Sequence, residues 1–248
     1  MKPHDWWRPE NLAEVERDFR ERTPDELNKS TDFGAYRMLL TGVDDESSGI
    51  TLHNDVSPLA KVHAIAALLG SPAPRTILDA GCGAGFTTKA LATTYPGATV
   101  LGVDLAEDAI AYATTHHPEA KFLARPISPS SGPLGEFDTI FCFEFYPFTR
   151  NTEVAFQVEF IRYFMSQLTP NGRLVIYQTW KNPNSLAVIF DQVKSATPEF
   201  DYRVITTPTP RLSARLPLRL AIALSVLASR VAGRDWAKPM IVVSRRSS

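Results

Sequence analysis

Only two cysteines, Cys82 and Cys142, occur in the 248 residues. A lone pair in a chain of this size builds no disulfide framework and reads as reduced thiols, the state expected in the cytoplasm. Long apolar runs are missing too. The longest charge-free apolar stretch, Leu220–Ser229, has half of the ~20 residues a membrane-spanning helix needs. The opening residues, MKPHDWWRPE, contain no apolar segment of the kind that directs secretion. No His/Cys/Asp/Glu cluster has metal-ligand spacing, so neither a bound metal nor a magnesium-assisted reaction is expected. Net charge is almost absent, at -1, which argues against nucleic acid as a partner. With no repeat or low-complexity tract to divide it, the chain is expected to form one domain over residues 1–248.

What is present suits a sizeable core, since apolar residues make up 44%. Charge is unevenly placed. Residues 1–60 carry thirteen Asp/Glu against seven Lys/Arg, and residues 203–248 carry nine Lys/Arg against Asp235 alone. The plain reading is solvated surface; the sharper one is a basic face toward an acidic substrate or membrane headgroups.

Between residues 75 and 181, β-rich runs alternate with helical stretches. Strands are expected at Arg75–Ala80, Thr99–Leu105, Lys121–Ile127, Phe137–Glu144 and Arg173–Trp180. Helices are expected at Phe86–Tyr95, Ala106–His117 and Asn151–Leu168, the last with apolar spacing at Val154, Val158, Ile161 and Met165. Apolar strands alternating with helices predict a doubly wound, mostly parallel α/β sheet with helices on both faces and ligands at the carboxyl ends of its strands. Ser57 and Pro58 open a further helix that Gly70 closes. Residues 1–56 read as an N-terminal helical lid, residues 57–181 as the core, and residues 182–248 as a C-terminal half.

The sharpest signal is Ile77–Phe86, I-L-D-A-G-C-G-A-G-F. A strand delivers Asp79, and Gly81, Gly83 and Gly85 follow at alternate positions, permitting a tight turn and close backbone approach to a ligand. An acid ahead of such a turn is awkward for a pyrophosphate and suits an ammonium group. Nineteen residues after Gly85, Asp104 ends the second strand, the place from which an acid accepts hydrogen bonds from ribose hydroxyls. A glycine turn with an acidic ribose clamp points to an adenosine-containing ligand. The plain alternative is an ordinary loop, with Asp104 capping the next helix.

At these residues, over about Arg75 to Trp180, the sequence resembles the class I S-adenosylmethionine (SAM)-dependent methyltransferases. D-A-G-C-G-A-G resembles the family's first motif, V-D-L at 103–105 its acidic second motif, and F-D-T-I-F-C-F-E at 137–144 its fourth-strand motif. L-T-P-N-G-R-L-V-I at 168–176 is similar to its turn into strand five. The resemblance implies a seven-stranded sheet and methyl transfer from SAM, leaving S-adenosylhomocysteine. It implies that Gly81, with Cys82, Gly83 and Gly85, packs against the methionine moiety and that Asp79 holds its amino group. Asp104 would bind the ribose hydroxyls with Leu105 beside the adenine, and backbone around Phe143 would close the methionine end. After strand three the family often has an acidic or small polar residue, where this chain reads A-R-P-I-S-P-S, leaving Ile127 or Ser128 for the adenine. The family's Glu-x-x-Glu-His after strand four is replaced by Glu144-Phe-Tyr-Pro-Phe148, so the acceptor pocket is expected to be aromatic.

SAM's sulfonium is an activated donor, so the protein has mainly to align the acceptor; a base is needed where a hydroxyl must lose a proton. Glu144, set among Phe141, Phe143, Phe145 and Phe148, is one candidate base, its other reading being a hold on the SAM amino group or a backbone amide. His53, reaching in from the lid, is the second candidate. Tyr146, Tyr177, Gln178 and Trp180 are placed to line the acceptor pocket. His116 and His117 suit a helix C-terminus, and His63 is expected to pack.

The family's last two strands are usually joined by a short connection. Here Tyr202–Thr207 and Met240–Ser244 are separated by a helical insertion over 211–234, with Arg215, Arg219 and Arg230 on one side. It is expected to pack on the core, form a homodimer interface or roof the pocket, with peripheral membrane contact the less favoured reading. The leading expectation is O-methylation of a small, acidic or amphipathic acceptor such as a metabolite, natural product or lipid-linked compound. The alternatives are a nicotinamide-dependent oxidoreductase, whose G-x-G-x-x-G is not matched, and a non-catalytic SAM-binding protein.

Overall fold

The computed structural model describes residues 56–149, 151–177, 186–232 and 237–246. The proposed lid with His53, and Gln178 and Trp180, lie outside the described residues. Helix α1 (Val56–Leu69) is followed by β1 (Thr76–Ala80), α2 (Phe86–Thr94), β2 (Thr99–Asp104), α3 (Glu107–His116) and β3 (Lys121–Ala124). Next come β4 (Phe137–Phe143), a single-turn α4 (Tyr146–Thr149), α5 (Val154–Ser166), β5 (Leu168–Tyr177) and α6 (Phe190–Ala196). Strand β6 (Phe200–Thr207), a short α7 (Pro210–Ser213), α8 (Leu218–Ala232) and β7 (Lys238–Arg245) complete the order.

The strands form one seven-stranded sheet in the order β3-β2-β1-β4-β5-β7-β6. All neighbours are parallel except β7, which runs antiparallel to both β5 and β6. This is the expected fold class, down to the helical insertion before the last strand. The chain builds outward from β1 to β3 and then returns to β4, so the order reverses between β1 and β4. At such a switch point the loops diverge and leave a crevice at the strands' carboxyl ends.

The near-continuous apolar character of β1, β4 and β5 has a direct cause. Successive side chains point to opposite faces, and both faces are covered. Leu78, Ile140, Cys142, Leu174, Ile176 and Ile241 join one core with Phe160, Ile161 and Phe164 of α5. Ile77, Phe141, Val175, Met240 and Val242 join the other with Val62 and Ile65 of α1 and Leu91 of α2.

Several boundaries differ from the sequence expectation, and three of the differences concern the sheet and the insertion most. Strand β3 stops at Ala124 because Pro126 has no N–H to continue the ladder; Arg125 N still donates to the Asp104 carbonyl at 2.9 Å. Strand β5 begins at Leu168, and the stretch Thr169–Gly172 is an irregularity within it rather than a stop before it. The insertion is two helices rather than one, α8 starting just after Pro217. Gly70 closes α1 as expected, at φ 67°, its N–H donating to the Ala66 carbonyl at 3.1 Å.

Candidate functional site

Asp79 in β1 and Asp104 at the end of β2 stand on adjacent strands at the carboxyl edge of the sheet. The glycine turn folds over the end of β2: the Gly81 and Cys82 amides both donate to the Val103 carbonyl, at 2.8 and 3.1 Å. The Gly83 amide donates to Asp104 Oδ2 at 2.8 Å and the Ala106 amide to Asp104 Oδ1 at 2.9 Å. Each carboxylate oxygen thus accepts a backbone donor, and the pair, with about four acceptor sites, retains capacity for a ligand. Burial pushes the Asp104 carboxyl up, and bonds from the Ala106, Gly83 and Leu105 amides oppose that.

Asp79 is buried. Its Oδ2 accepts from the Thr88 hydroxyl at 2.7 Å, and its Oδ1 has no partner among the described residues. Burial raises its pKa to about 6, against the Thr88 hydrogen bond and the positive charge of Lys61. An unmet buried acceptor is costly, and a bound ammonium would satisfy it.

Two of the glycines serve different ends. Gly81 (φ 74°) lies so close to Phe145 that a Cβ there would stand 2.7 Å from the ring. Phe145 is held in turn by edge contacts to Phe148, Phe160 and Phe164. Gly85 (φ 82°) begins α2, and a Cβ there would meet Phe122 Cε1 at 2.8 Å and Ala113 Cβ at 2.9 Å. Strain in the left-handed region and overpacking together predict that Gly85→Ala destabilises the fold by about 2–4 kcal/mol. Equilibrium denaturation would check this, and a loss below about 1 kcal/mol would show that Phe122 yields.

Other expected residues are placed as follows. Cys82 and Cys142 are buried free thiols whose pKa values burial raises, so neither is a reactive nucleophile. Leu105 is partly buried next to Asp104. Ile127 and Ser128 are buried beyond β3, the neighbour of β2, and the Ser128 hydroxyl bonds those of Ser130 and Ser131 at 2.9 and 2.7 Å. His63, expected to pack, is exposed on α1. His116 bonds the Tyr112 carbonyl at 2.8 Å in the last turn of α3.

Glu144 is not enclosed by phenylalanines as expected. It is exposed at φ 52°, its amide donating to the Tyr177 carbonyl at 2.8 Å and its Oε1 paired with Lys238 Nζ at 3.1 Å. The reversal in backbone direction sends Phe145 under Gly81 while Glu144 faces out. Beside it, Lys61 Nζ lies 4.7 Å from the Phe143 ring centre and 5.6 Å from that of Tyr177, and Lys238 Nζ is also 5.6 Å from Tyr177. Burial pushes the Lys61 ammonium down, and the charges of Asp79 and Glu144 oppose that. Burial raises the Tyr177 hydroxyl to about 12.

Sequence reasoning missed both lysines. Lys61 is the one formal charge in the otherwise apolar helix VSPLAKVHAIAALL, which was the available signal. Lys238 opens a strand whose start was placed two residues too late.

A doubly wound sheet with acids at two adjacent strand ends and a glycine turn between them defines a nucleoside-binding α/β protein. Residues 74–207, more than half the chain, match the family described as a methyltransferase domain. The chain belongs to that family, and its fold is that of the class I SAM-dependent methyltransferases. It is 40% identical over 62 residues to trans-aconitate 2-methyltransferase of Delftia acidovorans, covering 25% of this chain and 23% of that protein. It is 35% identical over 106 residues to ubiquinone biosynthesis O-methyltransferase of Bordetella avium, covering 41% of this chain and 42% of that one. The matched segment thus spans less than half the length of these curated relatives. Magnesium protoporphyrin IX methyltransferase from Synechocystis PCC 6803, solved with bound SAM, superposes over 90% of this chain and 97% of its own, with a TM-score of 0.58 and 14% identity. At that identity the likeness speaks for the fold alone.

Proposed function

We propose that this protein transfers the methyl group of SAM to a hydroxyl of a small organic acceptor. The observation that carries the reading is the pair of strand-end acids: Asp79 with a buried, unmet Oδ1, and Asp104 with both oxygens fixed by backbone amides. They suit the two polar ends of one ligand, an ammonium and a ribose diol. When bound, SAM supplies a methyl group already activated on its sulfonium.

The chain's own residues then have three tasks. Asp79 holds the ammonium, and Lys61, within electrostatic reach of Asp79, receives the carboxylate of the same amino-acid end. The Gly81–Gly85 turn and the backbone at Phe143 enclose that end, while Leu105, Ile127 and Ser128 flank the adenine. Glu144, steadied by Lys238, takes the proton from the acceptor hydroxyl as the oxygen gains the methyl group; His53 is the second candidate for that proton.

Isothermal calorimetry with SAM, S-adenosylhomocysteine and NADH tests the donor. One-site binding of the first two supports the reading, and binding of NADH alone overturns it in favour of an oxidoreductase. Lys61→Met is expected to weaken S-adenosylhomocysteine binding by about tenfold to a hundredfold, the worth of one hydrogen bond to a charged group. Binding of 5′-methylthioadenosine, which has no amino-acid end, should stay unchanged. An equal loss for both ligands would remove Lys61 from this role.

A further inference from the structure

The insertion helix α8 presents the opposite face from the one an ordinary surface helix shows. Its wholly buried positions are small or polar. Ala221 and Ser225 face inward, the Ser225 hydroxyl accepting from the Thr209 amide at 3.0 Å, and the Ser229 hydroxyl accepts from the Ala237 amide at 2.8 Å. Four of its seven large apolar residues face out: Leu220, Leu224, Leu227 and Val231 are between 38% and 80% exposed, while Leu218, Ile222 and Val226 are half-buried. The spacing i, i+4, i+7, i+11 puts these four on one stripe.

Arg219 and Arg230 each precede an end of that stripe by one residue and so lie along the same flank of it. Arg211 in α7 and Arg215 just after it are exposed as well. None of the four makes an ion pair among the described residues. From Arg203 to Ala232 the chain has no Asp or Glu, and neither has α1, against which α7 packs. An apolar stripe flanked by cations that meet no carboxylate among the described residues suits an occupant that is apolar in the middle and anionic at the side. A second copy of this chain would bring the same arginines and no carboxylate from these helices.

We propose that α8 lies in the surface of an anionic lipid bilayer, its leucine stripe among the upper acyl chains and Arg219 and Arg230 at the phosphate level. No helix among the described residues is long and apolar enough to cross a membrane, so the attachment is lateral and reversible. It carries the carboxyl edge of the sheet to the surface where an amphipathic acceptor would collect.

Vesicle flotation of the full chain tests this independently of methyl transfer. Vesicles of phosphatidylcholine with phosphatidylglycerol are expected to carry the protein at low salt. Phosphatidylcholine alone, or high salt, should release it. Arg219→Gln with Arg230→Gln is expected to lower partitioning by about 25-fold, roughly fivefold for each charge. Leu224→Asp with Leu227→Asp should abolish it, with S-adenosylhomocysteine calorimetry confirming that each variant is folded. If the aspartate variant does not fold, the exposed arginine pair decides alone. The proposal is overturned by no flotation on anionic vesicles at low salt, or by flotation unchanged in the arginine variant. Dimerisation seen in sedimentation, lost in the leucine variant and unaccompanied by flotation, would also overturn it and assign the stripe to a second copy.

Discussion

Asp104→Ala is expected to weaken S-adenosylhomocysteine binding by at least about a hundredfold. Two hydrogen bonds to a carboxylate are worth about 1.5–3 kcal/mol each, and 1.4 kcal/mol is a factor of ten. The expectation rests on how that carboxylate is held. The Gly83 and Ala106 amides each donate to one oxygen, fixing the plane of the group before any ligand arrives, so little ordering is left for binding to supply. Asparagine is no rescue, since its amide group would turn a donor toward one of those two donors. The variant also strips the turn of its anchor, so a drop in thermal midpoint should accompany the loss of affinity. Calorimetry of wild type and variant reads the first effect and a melting curve the second. Affinity retained within about threefold, a difference of less than 1 kcal/mol, would exclude Asp104 as the ribose clamp.

Asp79→Asn is expected to act in opposite directions on stability and on binding. Burial lifts the folded-state pKa of Asp79 from 3.8 to about 6. A pKa raised on folding means that the charged form opposes the fold: its stability contribution is complete below pH 3.8 and is lost as pH rises through about 6. Near pH 7.5 the neutral asparagine therefore relieves at most about 3 kcal/mol, the cost of keeping that buried carboxylate charged. The Thr88 hydroxyl can still donate to the asparagine carbonyl. Binding should suffer, because the ammonium of the ligand loses its counter-charge in a buried place; about a hundredfold is expected. The same titration predicts that wild-type affinity falls about tenfold between pH 7 and pH 5 as Asp79 takes up a proton. Calorimetry and melting at both pH values test the pair. A flat pH profile together with an unaltered melting point in the variant would show that Asp79 is neither strained nor engaged.

The centre of the sheet was legible because β1 and β4 are buried on both faces, which leaves them as apolar runs bounded by glycine, proline or polar turns. The two acids were legible for a local reason: Asp79 lies one residue from the end of β1, Asp104 ends β2, and the glycine turn binds them together within one βαβ unit. Lys61 was not, because its value comes from α1 passing beside Phe143 and Tyr177, partners far along the chain. The setting of Glu144 was misread for the same kind of reason. Four nearby phenylalanines suggested enclosure, but at φ 52° the backbone turns Glu144 outward and Phe145 in. In α8 the arginines were visible, but which side faces the protein was left open, and the buried positions went to alanine and serine. That inversion depends on what α8 packs against, which no periodicity records.

The position of β7 between β5 and β6 has a consequence for the order in which the molecule can be made. A nascent chain that has produced β6 still has no neighbour for it, because the strand that joins it to β5 is the last to be synthesised. Until residues 238–245 emerge, β5 is a bare edge of alternating Leu, Val and Ile and β6 a detached ribbon, the state most open to pairing with another chain. Both ladders then close together when one segment slides between them. The final strand is thus a keystone, and a ribosome that stalls shortly before it leaves an exposed edge rather than a slightly shortened enzyme.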